Sequence, residues 1–146
     1  MIRVRAATVA DVAEILPRTR ALNAQEDIVV DDAMLEAALH RLLGDATLGA
    51  VWLIEDERPI GHAVVTYGFD LEFAGRDSFL TEFWIDESHR SRGAGRIALD
   101  LIVDELRARD IRALHLGVRP ENPARRLYER AGFTTSPRLL MTRLLA

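Results

Sequence analysis

The stretch Asp86-Glu87-Ser88-His89-Arg90-Ser91-Arg92-Gly93-Ala94-Gly95-Arg96 decides how the rest of the chain is read. An apolar run, Phe79 to Ile85, precedes it, and a helical pattern, Ile97 to Leu106, follows. Gly93 and Gly95 carry no Cβ, so the backbone there can turn tightly and come close to a ligand. The helix behind them leaves its first N–H groups without intrahelical partners, and its macrodipole places partial positive charge at the same end. Arg90, Arg92 and Arg96 add full charges. A strand, a basic glycine loop and a helix start, in that order, predict a site for a phosphate or pyrophosphate.

Spacing removes two phosphate-binding alternatives. A P-loop needs G-x-x-x-x-G-K-[ST], and the chain has no lysine. A dinucleotide fingerprint needs a third glycine where Ala98 stands, early in a βαβ unit. Here three antiparallel-looking strands come first. Taken alone, Gly93-x-Gly95 is as compatible with a glycine-rich helix start as with a ligand site.

Outward from the loop, the elements follow from periodicity and turn chemistry. Ile2 to Arg5 alternates as a short strand. Thr8, with Asp11 three residues on, predicts a capping box and a helix to about Asn23, with a break or kink near Leu16 imposed by Pro17. Asn23 to Val30 reads as a loop. Asp31 or Asp32 caps a second helix with Met34, Leu35, Ala38, Leu39, Leu42 and Leu43 on its apolar face, stopped by Gly44. Gly49 to Glu55, Ile60 to Asp70 and Ser78 to Asp86 read as three strands separated by polar turns. The helix after the loop has Ile97, Ala98, Leu101, Ile102 and Leu106 on one face. Ala113 to Val118 is a strand, Asn122-Pro123 starts a last helix that Gly132 ends, and Leu139 to Leu145 reads as a closing strand. The order β-α-α-β-β-β-α-β-α-β, without repeat or break in composition, predicts one mixed α/β domain over residues 1–146.

Composition narrows the function. At 49% apolar and 29% charged residues, the balance is that of a soluble globular protein. A net charge of -4 supplies no overall attraction to nucleic acid or anionic membrane. With no cysteine, disulfides, thiolate metal sites and a cysteine nucleophile are excluded together. The four histidines have no metal-ligand spacing, so no metal is expected, and they read as surface or satisfied residues. No apolar run approaches the ~20 residues that span a bilayer, and the N-terminus has no signal-peptide pattern. The expected compartment is the cytoplasm.

A second constellation, Asn122-Pro123-Ala124-Arg125-Arg126-Leu127-Tyr128-Glu129-Arg130-Ala131-Gly132-Phe133, makes the loop more specific. Arg90-x-x-Gly93-x-Gly95, opening a helix after an apolar strand, resembles the acetyl-CoA motif of the GNAT family of N-acetyltransferases. Leu127-Tyr128-Glu129-Arg130-Ala131-Gly132-Phe133 resembles that family's Leu-Tyr-Glu-x-x-Gly-Phe helix end. The resemblance covers nearly the whole chain. It implies a mixed, mostly antiparallel sheet with splayed strands and helices on both faces. It also implies acetyl-CoA as co-substrate and direct transfer of the acetyl group to a primary amine. Phosphate contacts then fall to Arg90, Ser91, Arg92, Gly93, Ala94, Gly95 and Arg96. The strand Phe83, Trp84, Ile85 parts from Leu116 to Val118 to admit the pantetheine arm, and Asn122 contacts that arm or a nearby water. Tyr128 matches the family's general acid.

The chemistry agrees with this resemblance. An amine attacking a thioester produces an oxyanion that a strand N–H can stabilise, and it expels a thiolate that a tyrosine can protonate. Alkyl amines have pKa values near ~10, so a proton must be removed at neutral pH. Glu82, on the strand leading to the loop, is the base candidate, directly or through water. Alternation puts Glu82 and Trp84 on one face and Phe83 and Ile85 on the other. Glu72 and Arg76 read as solvated turn charges or as acceptor-pocket residues. Arg125, Arg126 and Arg130 suit either the 3′-phosphate of the cofactor or solvent. Small-molecule and peptide amines are both open as acceptors, and homodimerisation is common for this scaffold. A non-catalytic acyl-CoA-sensing or protein-interaction module on the same fold is the competing reading.

Overall fold

The computed structural model describes residues 1–146. One five-stranded sheet runs in chain order: β1 (Ile2–Ala6), β2 (Gly49–Asp56), β3 (Arg58–Asp70), β4 (Gly75–Ile85) and β5 (Ala113–His115). The first four strands pair antiparallel, and β5 joins β4 in parallel. Four helices cover the sheet: α1 (Val12–Gln25), α2 (Asp32–Gly44), α3 (Ala94–Ala108) and α4 (Ala124–Arg130). No helix is long and apolar enough to cross a membrane.

Strand alternation divides the core between the two faces. Val51, Leu53 and Val64 point to α1 and α2, where they meet Ile15, Leu16 and Leu39. Trp52, Ala63 and Val65 point the other way, to Leu99, Ile102 and Leu106 of α3. Beside them Ile54, Ile60 and Ile85 pack on Ala94 and Ala98, the first turns of the same helix. Helix α3 is therefore seated along its whole length, and its N-terminus is held against the end of β4.

The predicted mixed sheet with helices on both faces is the one observed, and most local signals act as expected. Thr8 Oγ1 accepts from Ala10 N–H at 3.3 Å while Asp11 accepts from Thr8 N–H at 2.8 Å, completing the capping box. Asp31 accepts from Met34 N–H at 3.0 Å to start α2. At the end of α4, Phe133 N–H reaches Tyr128 O and Gly132 N–H reaches Glu129 O, a Schellman closure with Gly132 at φ 98°.

Four expectations are corrected. Pro17 does not break α1, which runs unbroken to Gln25. Proline removes one rung of the helix, and the burial of Ile15, Leu16 and Thr19 around it holds the helix on the sheet. The buried stripe of α3 is Ala94, Ala98, Leu99, Ile102 and Leu106, whereas Ile97 is 47% exposed, so the face is rotated from the predicted one. Strand β5 stops at His115 instead of continuing to Val118. Leu139 to Leu145 forms no strand, and its leucines and methionine are exposed. Apolar, β-prone composition makes a strand only where a ladder partner exists, and this segment has none.

Ile102 is fully buried against both α3 neighbours and the sheet. Ile102→Ala should lower the unfolding free energy by about 2–5 kcal/mol, read as a reduced urea midpoint with an unchanged slope.

Candidate active site

Strands β4 and β5 pair at only three positions, Asp77 with Ala113, Ser78 with Leu114 and Phe79 with His115. Beyond them the strands part. The gap is a cleft of about 700 Å³, walled by Leu80, Thr81, Phe83, Trp84 and Ile85 on one side and Leu116, Gly117 and Val118 on the other. Backbone N–H and C=O groups along the two walls lack each other as ladder partners, so they are free to bond an extended ligand.

One end of the cleft is the glycine loop. Gly93 caps α3 with φ 82°, in the left-handed region, and no side chain bonds the first turn of the helix. Its first N–H groups therefore stay open. Ser91, at φ 62°, turns the loop in the same sense. At Gly95 a Cβ would lie 3.3 Å from Leu127 Cδ2 and 3.7 Å from Phe83 Cε2, so glycine lets the first turn of α3 sit close to α4 and β4. Arg90 donates from Nε to Ile85 O at 2.7 Å and lays its guanidinium over the Trp84 ring, 4.5 Å from the centroid. Trp84 in turn donates to Asp86 at 3.1 Å. Burial works against the Asp86 carboxylate. The two-pronged grip of Arg18, at 2.9 and 2.8 Å, outweighs it and holds Asp86 below the usual carboxylate range. The loop is thus tied to α1 through a chain of charge and ring contacts.

Tyr128 stands in the wall of the same cleft, set edge-on to Phe83 and Phe133 with ring centroids 6.5 and 5.8 Å away. Burial, with a smaller contribution from the negative charge of Glu26, pushes its phenol up to about 12. The group is a neutral O–H donor. Its hydroxyl is not among the buried orphans, of which Nδ1 of His62 is the only one, so it opens into the cleft.

A family model described as the acetyltransferase (GNAT) family matches residues 15–133. The chain belongs to the GNAT acetyltransferase family. A search among curated proteins found no match. Among solved structures, the integron cassette protein HFX_CASS3 from the mobile metagenome of Cole Harbour Salt Marsh is 29% identical, with TM-score 0.85 over 98% of this chain and 90% of that one. A predicted acetyltransferase of Clostridium acetobutylicum, solved with acetyl-CoA, is 22% identical, with TM-score 0.81 over 99% and 97%. A ribosomal-protein-alanine N-acetyltransferase of Brucella melitensis biovar Abortus 2308 is 18% identical, with TM-score 0.75 over 99% and 100%. The last two likenesses concern the fold.

Within this GNAT domain most of the sequence-predicted residues converge. Phe83, Trp84, Ile85, Arg90, Ser91, Gly93, Gly95, Arg96, Asn122 and Tyr128 all line the cleft. Ala94 is buried under the loop, and Arg92 is exposed outside the cleft lining. Asn122 also works as a cap, accepting from Ala124 N–H at 2.9 Å. Arg130 lines the cleft, whereas Arg125 pairs with Glu129 on the surface. Glu72 pairs with Arg138, away from the cleft. Glu82 does not line the cleft. It lies with Trp84 on the α1 face, as alternation predicts, and bonds Thr19 and His62.

Sequence reading missed part of the wall. Leu22, Gln25, Glu26 and Ile28, from the end of α1 and the turn after it, also line the cleft. Glu26 is held there by Arg119, whose Nε lies 3.3 Å from Oε2. These residues carry no local motif, and only packing brings them to the cleft. His62 was also missed, because a buried histidine and a surface one look the same in sequence.

Ultraviolet difference titration of wild type against Tyr128→Phe should show no Tyr128 phenolate at about pH 10, where a free tyrosine is half ionised. A signal at that pH would mean that the phenol is solvated.

Proposed function

We propose that this GNAT domain is an acetyl-CoA-dependent N-acetyltransferase that transfers an acetyl group directly to a primary amine. Family membership supports acyl transfer. The observation that carries the finer reading is Tyr128, a neutral phenol with its hydroxyl open where β4 and β5 part. It lies in one cleft with a phosphate-type loop.

The residues present fit acetyl-CoA. The open first turn of α3, bracketed by Arg90 and Arg96, suits a pyrophosphate. Gly93 offers no Cβ and Gly95 keeps the first turn of α3 close to Leu127, so the loop backbone can approach the phosphates. The unpaired edges of β4 and β5 offer amide partners along the arm, with Asn122 at its side. The bound co-substrate would supply the thioester carbonyl and a thiolate leaving group.

This chain's own residues supply the proton traffic and the charge stabilisation. Tyr128 presents its O–H to the leaving sulfur and, kept neutral by burial, holds that proton across the physiological range. A backbone N–H on the parted edge of β4 faces the charge that develops on the carbonyl oxygen. Glu82 takes the proton from the incoming ammonium, and its position behind the cleft lining favours transfer through water. With no cysteine in the chain, no cysteine acyl-enzyme can form, which supports a ternary complex of both substrates.

The test is thiol release from acetyl-CoA with a panel of alkyl amines, polyamines, aminoglycosides and peptides with free N-termini or lysines. Acetyl-CoA binding without turnover across that panel would overturn the reading in favour of a sensing module. With an active amine, Tyr128→Phe should lower kcat by roughly 10²–10⁴-fold while leaving acetyl-CoA affinity unchanged. Gly93→Val, forced into a left-handed conformation that valine disfavours, should weaken acetyl-CoA binding in calorimetry. Equal affinity would remove the loop from the cofactor site.

A further inference from the structure

Three side chains meet on the α1 face of the sheet, where β3 and β4 run side by side. Glu82 of β4 accepts from Thr19 Oγ1 of α1 at 2.6 Å and lies 2.8 Å from Nε2 of His62 on β3. Both contacts fall on one oxygen, Oε1. The other, Oε2, has no protein partner. Nδ1 of His62 is the only buried side-chain polar atom without one, so Oε2 opens to solvent. Glu82 keeps 21% of its side chain exposed, whereas His62 is at 0%.

The imidazole chemistry decides where the protons are. A carboxylate only accepts, so Nε2 must carry the hydrogen it shares with Oε1. An imidazolium, or a ring protonated on Nδ1 alone, would leave an N–H buried with no acceptor. The neutral Nε2–H form leaves only a lone pair unmatched. Thr19 Oγ1 lies 3.5 Å from Nε2 and directs its own hydrogen to Glu82. The arginines of α1 and the Glu26 that follows it are engaged elsewhere, Arg20 with Asp32. Arg18 binds Glu14 and Asp86, and Glu26 binds Arg119. Helix α2 packs on this side of the sheet through Leu35, Leu39, Leu42 and Leu43.

We propose that Thr19 and His62 are positioning residues for Glu82, saturating Oε1 and leaving Oε2 as the single oxygen that accepts the proton of the acceptor ammonium. This rests on Glu82 acting as the base. One N–H bond of the ammonium breaks, an O–H bond forms at Oε2, directly or across one water, and the lone pair stays on nitrogen for attack. Without the two donors the carboxylate would be free to rotate, and either oxygen could face the substrate.

Two measurements separate the clamp from the base. Long-range nitrogen–proton NMR should find His62 in the neutral Nε2–H form at about pH 7; an imidazolium or an Nδ1–H ring would overturn the proposal without any assay of turnover. In thiol release with the most active amine of the panel, His62→Phe and the nearly isosteric Thr19→Val should each lower kcat/KM for the amine by roughly 10-fold or more. KM for acetyl-CoA should not change. His62→Gln, whose amide N–H can serve the same oxygen, should recover most of the activity. Full activity in both variants, or a loss that glutamine does not recover, would overturn the clamp. Glu82→Gln reads the base itself. Full activity there removes the base assignment, whereas loss there beside full activity in His62→Phe and Thr19→Val removes the clamp alone.

Discussion

The constraint on which this structure depends is the short pairing of β4 with β5. Three residues of each strand share a parallel ladder, and then the strands separate. A sheet that stayed paired would satisfy its own backbone and have no room for a ligand. By parting, the two strands turn backbone groups that would be internal rungs into a row of donors and acceptors along an open cleft. The helix that caps this gap is anchored along its length by Ala98, Leu99, Ile102 and Leu106. Its open N-terminus is therefore a fixed feature, held in place by the hydrophobic core on the α3 face.

A second constraint is one extra residue in β4. The register with β3 shifts between Val64 and Val65, so that Val64 faces Glu82 and Val65 faces Leu80. Thr81 is the unpaired residue of this bulge. Strict alternation would put Leu80 and Glu82 on the same face. With the bulge, Leu80 and Phe83 both pack toward α3 while Glu82 points to α1. The proposed acid and base thus stand on opposite sides of the sheet, Tyr128 against Phe83 and Glu82 against Thr19 and His62. Separation of this kind keeps a proton donor for the leaving group away from a proton acceptor for the nucleophile.

Much of this was legible in the chain. The order of elements, the capping box at Thr8, the loop at Gly93 and Gly95, and the helix end at Gly132 all rest on local chemistry. Local chemistry reads directly from neighbouring residues. The same holds for the sharing of one face by Glu82 and Trp84, since strand alternation is a local rule. What failed was non-local. Leu139 to Leu145 has the composition of a strand, but the open sheet edge offers it no ladder. Pro17 reads as a helix breaker, but burial of its neighbours outweighs one missing hydrogen bond. The buried stripe of α3 turned out to include Leu99 in place of Ile97, a choice made by the sheet it packs on.

By itself, then, the sequence determined the GNAT fold class and pointed to the glycine loop and Tyr128 as the proposed site, because motif, spacing and turn chemistry act over a few residues. Tertiary structure alone decided that Glu26 lines the cleft and that Glu82 does not. The same packing brings His62, fully buried, to within hydrogen-bonding distance of Glu82. These residues lie 20 or more positions apart in the chain, and no local rule carries information across that distance. Only the packing of α1 on β3 and β4 brings them together.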